Sequence, residues 1–326
     1  MGKNAEVAAY TPNQELLDLQ PEISGNEVNG LGEEALRPPT PLYWHPPELI
    51  AHAKMQQWFY ANGSRPEVRE LGADTRRTLE TPLPPVAEQR VGHTPHEWTR
   101  MAKQAALESG ADDVGIARID PNWVFEGLQV EHEFIIMAVV RMDYDCISQA
   151  PGPVSQKEVH TQYNRGARVA HQLGGWVQEQ GWAAHPHGGG QAGKILFIPA
   201  AIAAGLGELG KHGSMIHREF GSMFRLACVM TDLPLVPDAP ANFGADDFCT
   251  HCQVCSRACP VDSIAETKKM VRGNRKWFVD FDTCVFYFME NNGCGICIAK
   301  CPWSKPGTSP KLSEKLLKRR AAKERQ

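Results

Sequence analysis

The chain has no apolar run long enough to cross a membrane. Its longest uncharged apolar stretch, Ile195 to Gly207, contains Pro199 and falls short of the roughly 20 residues a spanning helix needs. The start, MGKNAEVAAYTPNQ, lacks the basic run followed by an apolar run that marks a secretory signal. The pair Arg76-Arg77 is internal and is followed by Thr78, Leu79, Glu80 and Thr81, which is not a twin-arginine export pattern. A charge excess is missing too. The formal net charge of −4 points neither to nucleic acid nor to an acidic membrane surface. These absences predict a cytoplasmic, soluble protein with no integral membrane segment and no nucleic-acid partner. An exported mature form without its leader is the alternative.

The 326 residues are 42% hydrophobic, enough for a sizeable core and two packed units. Of the ten cysteines only Cys146 and Cys228 stand alone. The other eight fall into two groups near the C-terminus. Cysteines two residues apart rarely pair with each other, so the clustering reads as metal ligation and not as a disulfide scaffold.

Four segments are expected. Residues 1–93 form an N-terminal wrapping segment, punctuated by prolines at 46, 47, 82, 84 and 85. Residues 94–240 form an α/β domain. Thr94, Pro95 and Glu97 spell a capping box, and Trp98, Met101, Ala102, Ala105 and Ala106 follow at helical spacing. Strands are predicted at Val114–Ala117, Phe134–Val140, Lys194–Pro199 and Leu226–Thr231, and a second helix from about Tyr163 to Gln180. Residues 241–308 hold the cysteines. Residues 309–326 form a basic helical tail with seven Lys or Arg between 311 and 326, read as a solvated helix.

The first cysteine group is Cys249-x2-Cys252-x2-Cys255-x3-Cys259-Pro260. The second is Cys284-x9-Cys294-x2-Cys297-x3-Cys301-Pro302. Two-residue gaps let successive thiolates wrap one iron–sulfur cube, while the fourth cysteine, turned away by its proline, reaches the other cube. Crossed ligation follows. Cys249, Cys252, Cys255 and Cys301 hold one [4Fe–4S] cluster; Cys259, Cys284, Cys294 and Cys297 hold the other. A pair of zinc knuckles is disfavoured, because zinc has no use for a third cysteine plus Cys-Pro at this spacing. Cys284 departs most from the compact pattern, and His251 reads as a neighbour of the ligands.

The segment Ala204–Arg225, AGLGELGKHGSMIHREFGSMFR, carries Gly205, Gly207, Gly210 and Gly213 within nine residues. With Val229–Leu235, Ala111–Ile119, Met137–Asp145, Tyr163–Trp182 and the cysteine pattern, it resembles the reductive dehalogenases over roughly residues 94–306. The resemblance implies a nitroreductase-like cobalamin-binding core with a C-terminal ferredoxin-like two-cluster domain, and base-off cobalamin reduced through the clusters. Like that family, the chain lacks the Asp-x-His-x-x-Gly corrinoid motif. The resemblance also implies that Gly205, Gly207, Gly210, Gly213 and Ser214 contact cobalamin. It makes Tyr163, at the start of the long helix, the proton donor, and Lys211 the cation that stabilises its phenolate. The substrate would be an organohalide, aryl or vinyl. Without a reductase extension, the electron donor would be a separate ferredoxin, flavodoxin or reductase. One departure is Gly189, where the family often has asparagine.

Two other readings remain. Epoxyqueuosine reductase, an enzyme of tRNA modification, shares cobalamin, two clusters and a Gly-Leu-Gly segment with lysine. A non-enzymatic electron carrier or corrinoid-reducing protein needs only the clusters. The run Gly188-x4-Gly193-Lys194 nearly spells a phosphate loop, but Ile195 stands where Ser or Thr would bind magnesium, and nucleotide binding is discounted. Tyr43, Trp44, Tyr287 and Phe288 are candidates by position for an aromatic substrate pocket, with core packing equally open to them.

Overall fold

A computed structural model describes residues 10–323 apart from 64, 91, 191 and 192. The first nine residues of the expected wrapping segment, the last three of the basic tail, and Gln191 and Ala192 of the glycine run lie outside the described residues.

Helix α1 (Pro66–Glu80) begins on Pro66, in the first turn where a helix has no partner for its N–H groups. Helix α2 (Pro95–Glu108) opens on the capping box: the Glu97 N–H donates to Thr94 Oγ1, and the Thr94 N–H donates to the Glu97 carboxylate at 2.8 Å. Its buried face is Trp98, Ala102, Ala105 and Ala106. Strands β1 (Asp113–Arg118) and β2 (Phe134–Arg141) follow. Then come helix α3 (Pro153–Glu179), strand β3 (Ala184–His187), helix α4 (Phe197–Ala203), the hairpin β4 (Gly207–Leu209) and β5 (Met215–His217), and strand β6 (Phe224–Thr231).

The main sheet has the order β1-β2-β6-β3, with every neighbouring pair antiparallel. Strand β2, FIIMAVVR, is apolar at consecutive positions because both of its faces are covered. Phe134, Ile136, Ala138 and Val140 meet α2 and α3 on one side. Ile135, Met137 and Val139 meet Ala200, Ala201 and Ala204 at α4 on the other. Period-2 side-chain alternation therefore serves two cores at once. Trp98 anchors the first, fully buried and edge-on to Trp176 at 6.3 Å between ring centroids. Trp98→Ala is expected to destabilise the chain by about 3–5 kcal/mol, read as a lowered urea midpoint.

Two elements of this α/β layer depart from the sequence expectation. Helix α3 starts at Pro153, ten residues earlier than expected, so Tyr163 sits in its third turn and not at its start. The early turns bury Ser155 and Gln156, and the Gln156 amide donates to the Gly63 main-chain oxygen at 2.6 Å. Buried polar residues hide the apolar stripe there. The expected strand Lys194–Pro199 is instead an isolated bridge from Ile195 to Val124, followed by α4. Pro199 is tolerated in the first turn of α4, where its missing N–H would have no intrahelical partner.

The chain before residue 94 is stitched to everything after it. The Asp74 carboxylate of α1 accepts from Arg168 at 2.7 Å and from Asn164 at 2.8 Å on α3, and these bonds, led by Arg168, hold it down to about 2. The Gly25 N–H donates to Asp282 at 2.7 Å in the cysteine region. Tyr43, Trp44, Phe59 and Phe288 pack into one aromatic core; Phe59 and Phe288 are stacked at 5.7 Å. That cluster takes up Tyr43, Trp44 and Phe288 of the four positions considered for a substrate pocket, while Tyr287 meets Tyr10 edge-on at 5.1 Å.

The cysteine region comprises helices α5 (Ala245–His251), α6 (Val254–Ala258), α7 (Phe281–Glu290) and α8 (Ile296–Lys300). Helix α9 (Thr308–Lys323) is not solvated all round. Leu312, Leu316 and Leu317 pack against the core formed by Phe243, Cys249, Cys301 and Trp303. Arg320 pairs with Asp247 on α5 at 3.0 Å. Among the described residues, no helix is long and apolar enough to cross a membrane.

Candidate active site and metal centre

Folding brings the two cysteine motifs together, and the last cysteine of each acts on thiols of the other, as the two expected foursomes require. The Cys301 thiol lies in the field of Cys249, Cys255 and Cys252, although 42 residues separate Cys301 from Cys259, the last cysteine of the first motif. Cys259 acts in turn on Cys284 and Cys294 and, together with Cys255, on Cys297. All eight thiols are free. Among the described residues no three His, Cys, Asp or Glu side chains converge on one ion position. A cube does not need that, since each thiolate binds a different iron. His251 is exposed.

The surroundings suit a cluster. Burial pushes the Cys249 and Cys301 thiols up to about 12 and the Cys284 thiol up to about 11, and it raises Cys297 as well. The metal-free thiols are therefore protonated at neutral pH, and loading a cluster releases their protons. Main-chain N–H groups of Lys211, Ser256, Gly295, Ile296 and Trp303 point at cysteine sulfurs. The nine-residue gap before Cys294 is bridged by structure: Cys284 rides on α7 and bonds to Ser263, whose hydroxyl also lies 3.2 Å from Cys259 Sγ.

The second centre lies on α3. Tyr163 is half-buried, with the His160 ring edge-on at 5.8 Å and the Arg225 guanidinium 5.2 Å from its ring centroid. Among the described residues, Arg225 Nε is buried without a hydrogen-bond partner. Burial, followed by the Arg225 charge, holds His160 down to about 4, so its imidazole is neutral at pH 7. The glycine run passes directly over this turn of the helix. A Cβ on Gly190 would stand 3.3 Å from the tyrosine ring, and one on Gly188 would stand 3.1 Å from Ala167. Gly188 and Gly190 thus serve a close backbone approach, while a Cβ on Gly189, at φ +90°, would meet Thr75 of α1 at 2.9 Å.

Lys211 is elsewhere. It lies in the turn between β4 and β5, with 1% of its surface exposed. Its ammonium donates to the Glu266 main-chain oxygen at 3.1 Å and sits 4.8 Å from the Trp277 ring centroid. Its charge acts on the thiols of Cys249 and Cys255. The cation at Tyr163 is Arg225, which sequence reasoning passed over. The signal was there: Arg225 has the same strand parity as Ala227 and Val229, which pack against α3, so a charge interrupts a buried face.

The glycines of this hairpin are largely taken up by the protein itself. A Cβ on Gly205, at φ +77°, would meet the Ala239 carbonyl at 2.6 Å, and one on Gly207 would meet the Ile216 carbonyl at 2.4 Å. Gly210 is closed over by His212. Only Gly213, exposed, and Ser214, half-buried, leave the turn an open side.

Eight free thiols in two Cys-Pro-ended motifs, joined to an α/β layer that carries a tyrosine–arginine pair, suit an iron–sulfur redox protein. Residues 248–305 match the 4Fe-4S dicluster domain. In an alignment of 213 residues the chain is 32% identical to the tetrachloroethene reductive dehalogenase of Desulfitobacterium hafniense, with 61% of this chain and 38% of that protein covered. It is 28% identical over 271 residues to the epoxyqueuosine reductase of Synechococcus sp. (strain CC9605), with 65% and 79% covered. A solved reductive dehalogenase, reported as suggesting a mechanism for B12-dependent dehalogenation, matches with a TM-score of 0.67 at 26% identity, covering 76% of this chain and 38% of that one. The chain is thus a relative of the reductive dehalogenases, a mixed α/β protein with a C-terminal ferredoxin-like dicluster domain. It spans 38% to 51% of the length of the curated dehalogenases it matches.

Proposed function

We propose that this chain carries the catalytic core of a reductive dehalogenase, in which two electrons and one proton replace a halogen on carbon. The observation that carries the reading is the Arg225 guanidinium over Tyr163, with an unpartnered buried Nε, in a chain that also holds two thiol foursomes. Arg225 takes the role first assigned to Lys211.

Tyr163 holds the proton at its phenolic oxygen and delivers it to the substrate carbon. A phenol is a poor acid alone, and the Arg225 charge stabilises the phenolate left behind. Neutral His160 adds no competing charge. The open donor of Arg225 beside a half-buried phenol fits a reaction centre that a cofactor and substrate complete. Base-off cobalamin, when bound, would supply the cobalt at which the carbon–halogen bond breaks. Gly213 and Ser214 on the open side of the hairpin turn, next to the first foursome, would contact it. Gly205, Gly207 and Gly210 shape the hairpin instead. Electrons would come through the clusters from a separate donor protein such as a ferredoxin or flavodoxin. The substrate would be an aryl or vinyl halide.

The test is anaerobic purification, reconstitution with cobalamin and a low-potential reductant, and assay of halide release from halogenated phenols, benzoates and alkenes. The expected protein carries about eight irons and one cobalt per chain and releases halide from at least one member of the panel. Absence of cobalt uptake, or of halide from every member, rejects the proposal. The match to epoxyqueuosine reductase over most of that enzyme's length supports a second reading. It is separated by offering epoxyqueuosine in the same reduced preparation.

A further inference from the structure

The cysteine region carries a cavity of about 410 Å³, lined among others by Leu31, Ser263, Lys269, Met270, Phe278 and Asp280. Side-chain alternation along residues 277–280 decides where it opens. Val279 lies against the β4–β5 turn, where a Cβ on Gly213 would stand 3.1 Å from it, while Phe278 and Asp280 line the cavity on the opposite side. The cavity therefore faces away from that turn. Its floor is the buried Ser263, whose hydroxyl lies 3.2 Å from Cys259 Sγ and also bonds to Cys284. A group seated here is one side chain away from two ligands of the second cluster. Strands β7 (Lys269–Val271) and β8 (Asn274–Lys276) form a hairpin at its edge. Leu31 and Leu36 stay 39% and 58% exposed beside this hairpin; Leu31 bridges to Val271, and the Leu36 main chain closes over Gly273.

The segment Lys268–Lys276, KKMVRGNRK, holds five cations and no acid in a chain of net charge −4. Lys268 pairs with Asp246 at 2.6 Å, and Arg272 donates to the Asn29 main-chain oxygen at 3.0 Å. Among the described residues, exposed Lys269, exposed Arg275 and half-buried Lys276 have no acid paired with them. Lys269 stands directly opposite Lys276 in the ladder, an arrangement of like charges that is destabilising until an anion relieves it. Burial, followed by the Arg272 charge, holds Lys276 down to about 8. The acids Asp262, Glu266 and Asp280 stand at the base of the ladder, and Asp280 is engaged there, accepting from the Thr283 N–H at 2.8 Å to cap α7. The hairpin end is therefore the positive end.

We propose that the β7–β8 hairpin and the cavity beside it are the docking site of the electron donor, and that the donor is an acidic one-electron carrier protein. The inference deepens the separate-donor reading above and rests on the two-cluster assignment. Unpaired cations steer an acidic partner to this face and fix its orientation. Exposed leucines beside them give the encounter an apolar centre. Such a patch suits a transient redox complex, which buries less than about 1,200 Å². Each encounter passes one electron: the carrier is oxidised and the second cluster is reduced. Two encounters supply the two electrons that replacement of a halogen consumes. Electrons then enter on the side facing away from the β4–β5 turn.

The test uses the cluster-loaded full chain, without cobalamin or organohalide, and an acidic plant-type ferredoxin as the probe. Binding is read by calorimetry and cluster reduction by stopped-flow bleaching, both at low ionic strength, where exposed charges act furthest. Lys269→Glu combined with Arg275→Glu is expected to weaken ferredoxin binding and slow reduction by ferredoxin by at least about tenfold. Reduction of the same variant by photoreduced deazaflavin, a small donor, is expected to match the parent. Arg65→Glu combined with Arg100→Glu, the same charge change at exposed positions of the α/β layer, is expected to leave ferredoxin binding unchanged. If the glutamate variant loads fewer irons than the parent, Lys269→Gln with Arg275→Gln is read instead, with a loss in the same direction. A parent that does not bind ferredoxin overturns the proposal. So does a fully loaded hairpin variant that binds and is reduced like the parent, or a control that loses as much as the hairpin variant. Neither readout involves halide release, so this failure and failure of the dehalogenase reading are separate results.

Discussion

Replacing Tyr163 by phenylalanine is expected to leave both clusters and the cobalamin in place while lowering turnover by about 10²–10⁴-fold, the usual contribution of a positioned general acid. The change removes one oxygen atom and keeps the ring. The edge contact with His160, the guanidinium over the ring and the close approach of Gly190 therefore persist. Helix α3 loses no cap and no buried apolar surface. The measurement is halide release under saturating reductant, with iron and cobalt counted in the same sample. Because the proton and not the electron is being withheld, reduction of the clusters in the variant should be unaffected. Arg225→Leu should fall in the same direction through a different cause: the hydroxyl remains but its phenolate loses its charge partner. An unimpaired Tyr163→Phe variant would remove the tyrosine from the mechanism, and Arg225 with it.

The two centres differ in how far the sequence reveals them, and the difference is physical. The cysteine motifs are local. Tight turns such as Cys249–Cys255 are fixed by a few residues, and the Cys-Pro dipeptides that end each motif turn a thiol outward, so the grouping is visible in spacing alone. The tyrosine–arginine pair is not local. It depends on the register of β6 against β2, which sets Arg225 opposite Val140, and on α3 lying across that face. Nothing in the spacing between residues 163 and 225 encodes that meeting. Lys211 is assigned by resemblance alone, and the structure places it in the β4–β5 turn with its ammonium on the Glu266 main-chain oxygen and against the Trp277 ring.

The fold was legible where one force dominates. Strand β2 and the capped helix α2 are set by burial and by a complete capping box, and both fall where the sequence puts them. Legibility failed where polar residues are buried or where proline is harmless. Ser155 and Gln156 disguised the first turns of α3, and Pro199 lies in a helix turn that needs no N–H from it. The basic tail misled for a related reason. Its charges outnumber its leucines, but Leu312, Leu316 and Leu317 decide which face is covered.

The crossed foursomes give the other large effect. Cys301→Ala is expected to abolish the same cluster signal as Cys249→Ala, and Cys259→Ala the same signal as Cys297→Ala, each variant keeping about four irons. The argument is spatial. Cys301 is four residues from Cys297, yet its thiol lies in the field of Cys249, Cys255 and Cys252, while Cys259 acts on Cys284, Cys294 and, together with Cys255, on Cys297. Alanine is the right substitution, because a serine oxygen could still coordinate iron. Losing either cluster interrupts the only electron path the proposal provides, so turnover should vanish in all four variants. Activity therefore cannot tell crossed from uncrossed ligation, and the EPR signatures compared pair by pair can. If Cys301→Ala instead matched Cys297→Ala, each motif would hold its own cube, and the folding that brings residue 301 to the first motif would have no ligation purpose.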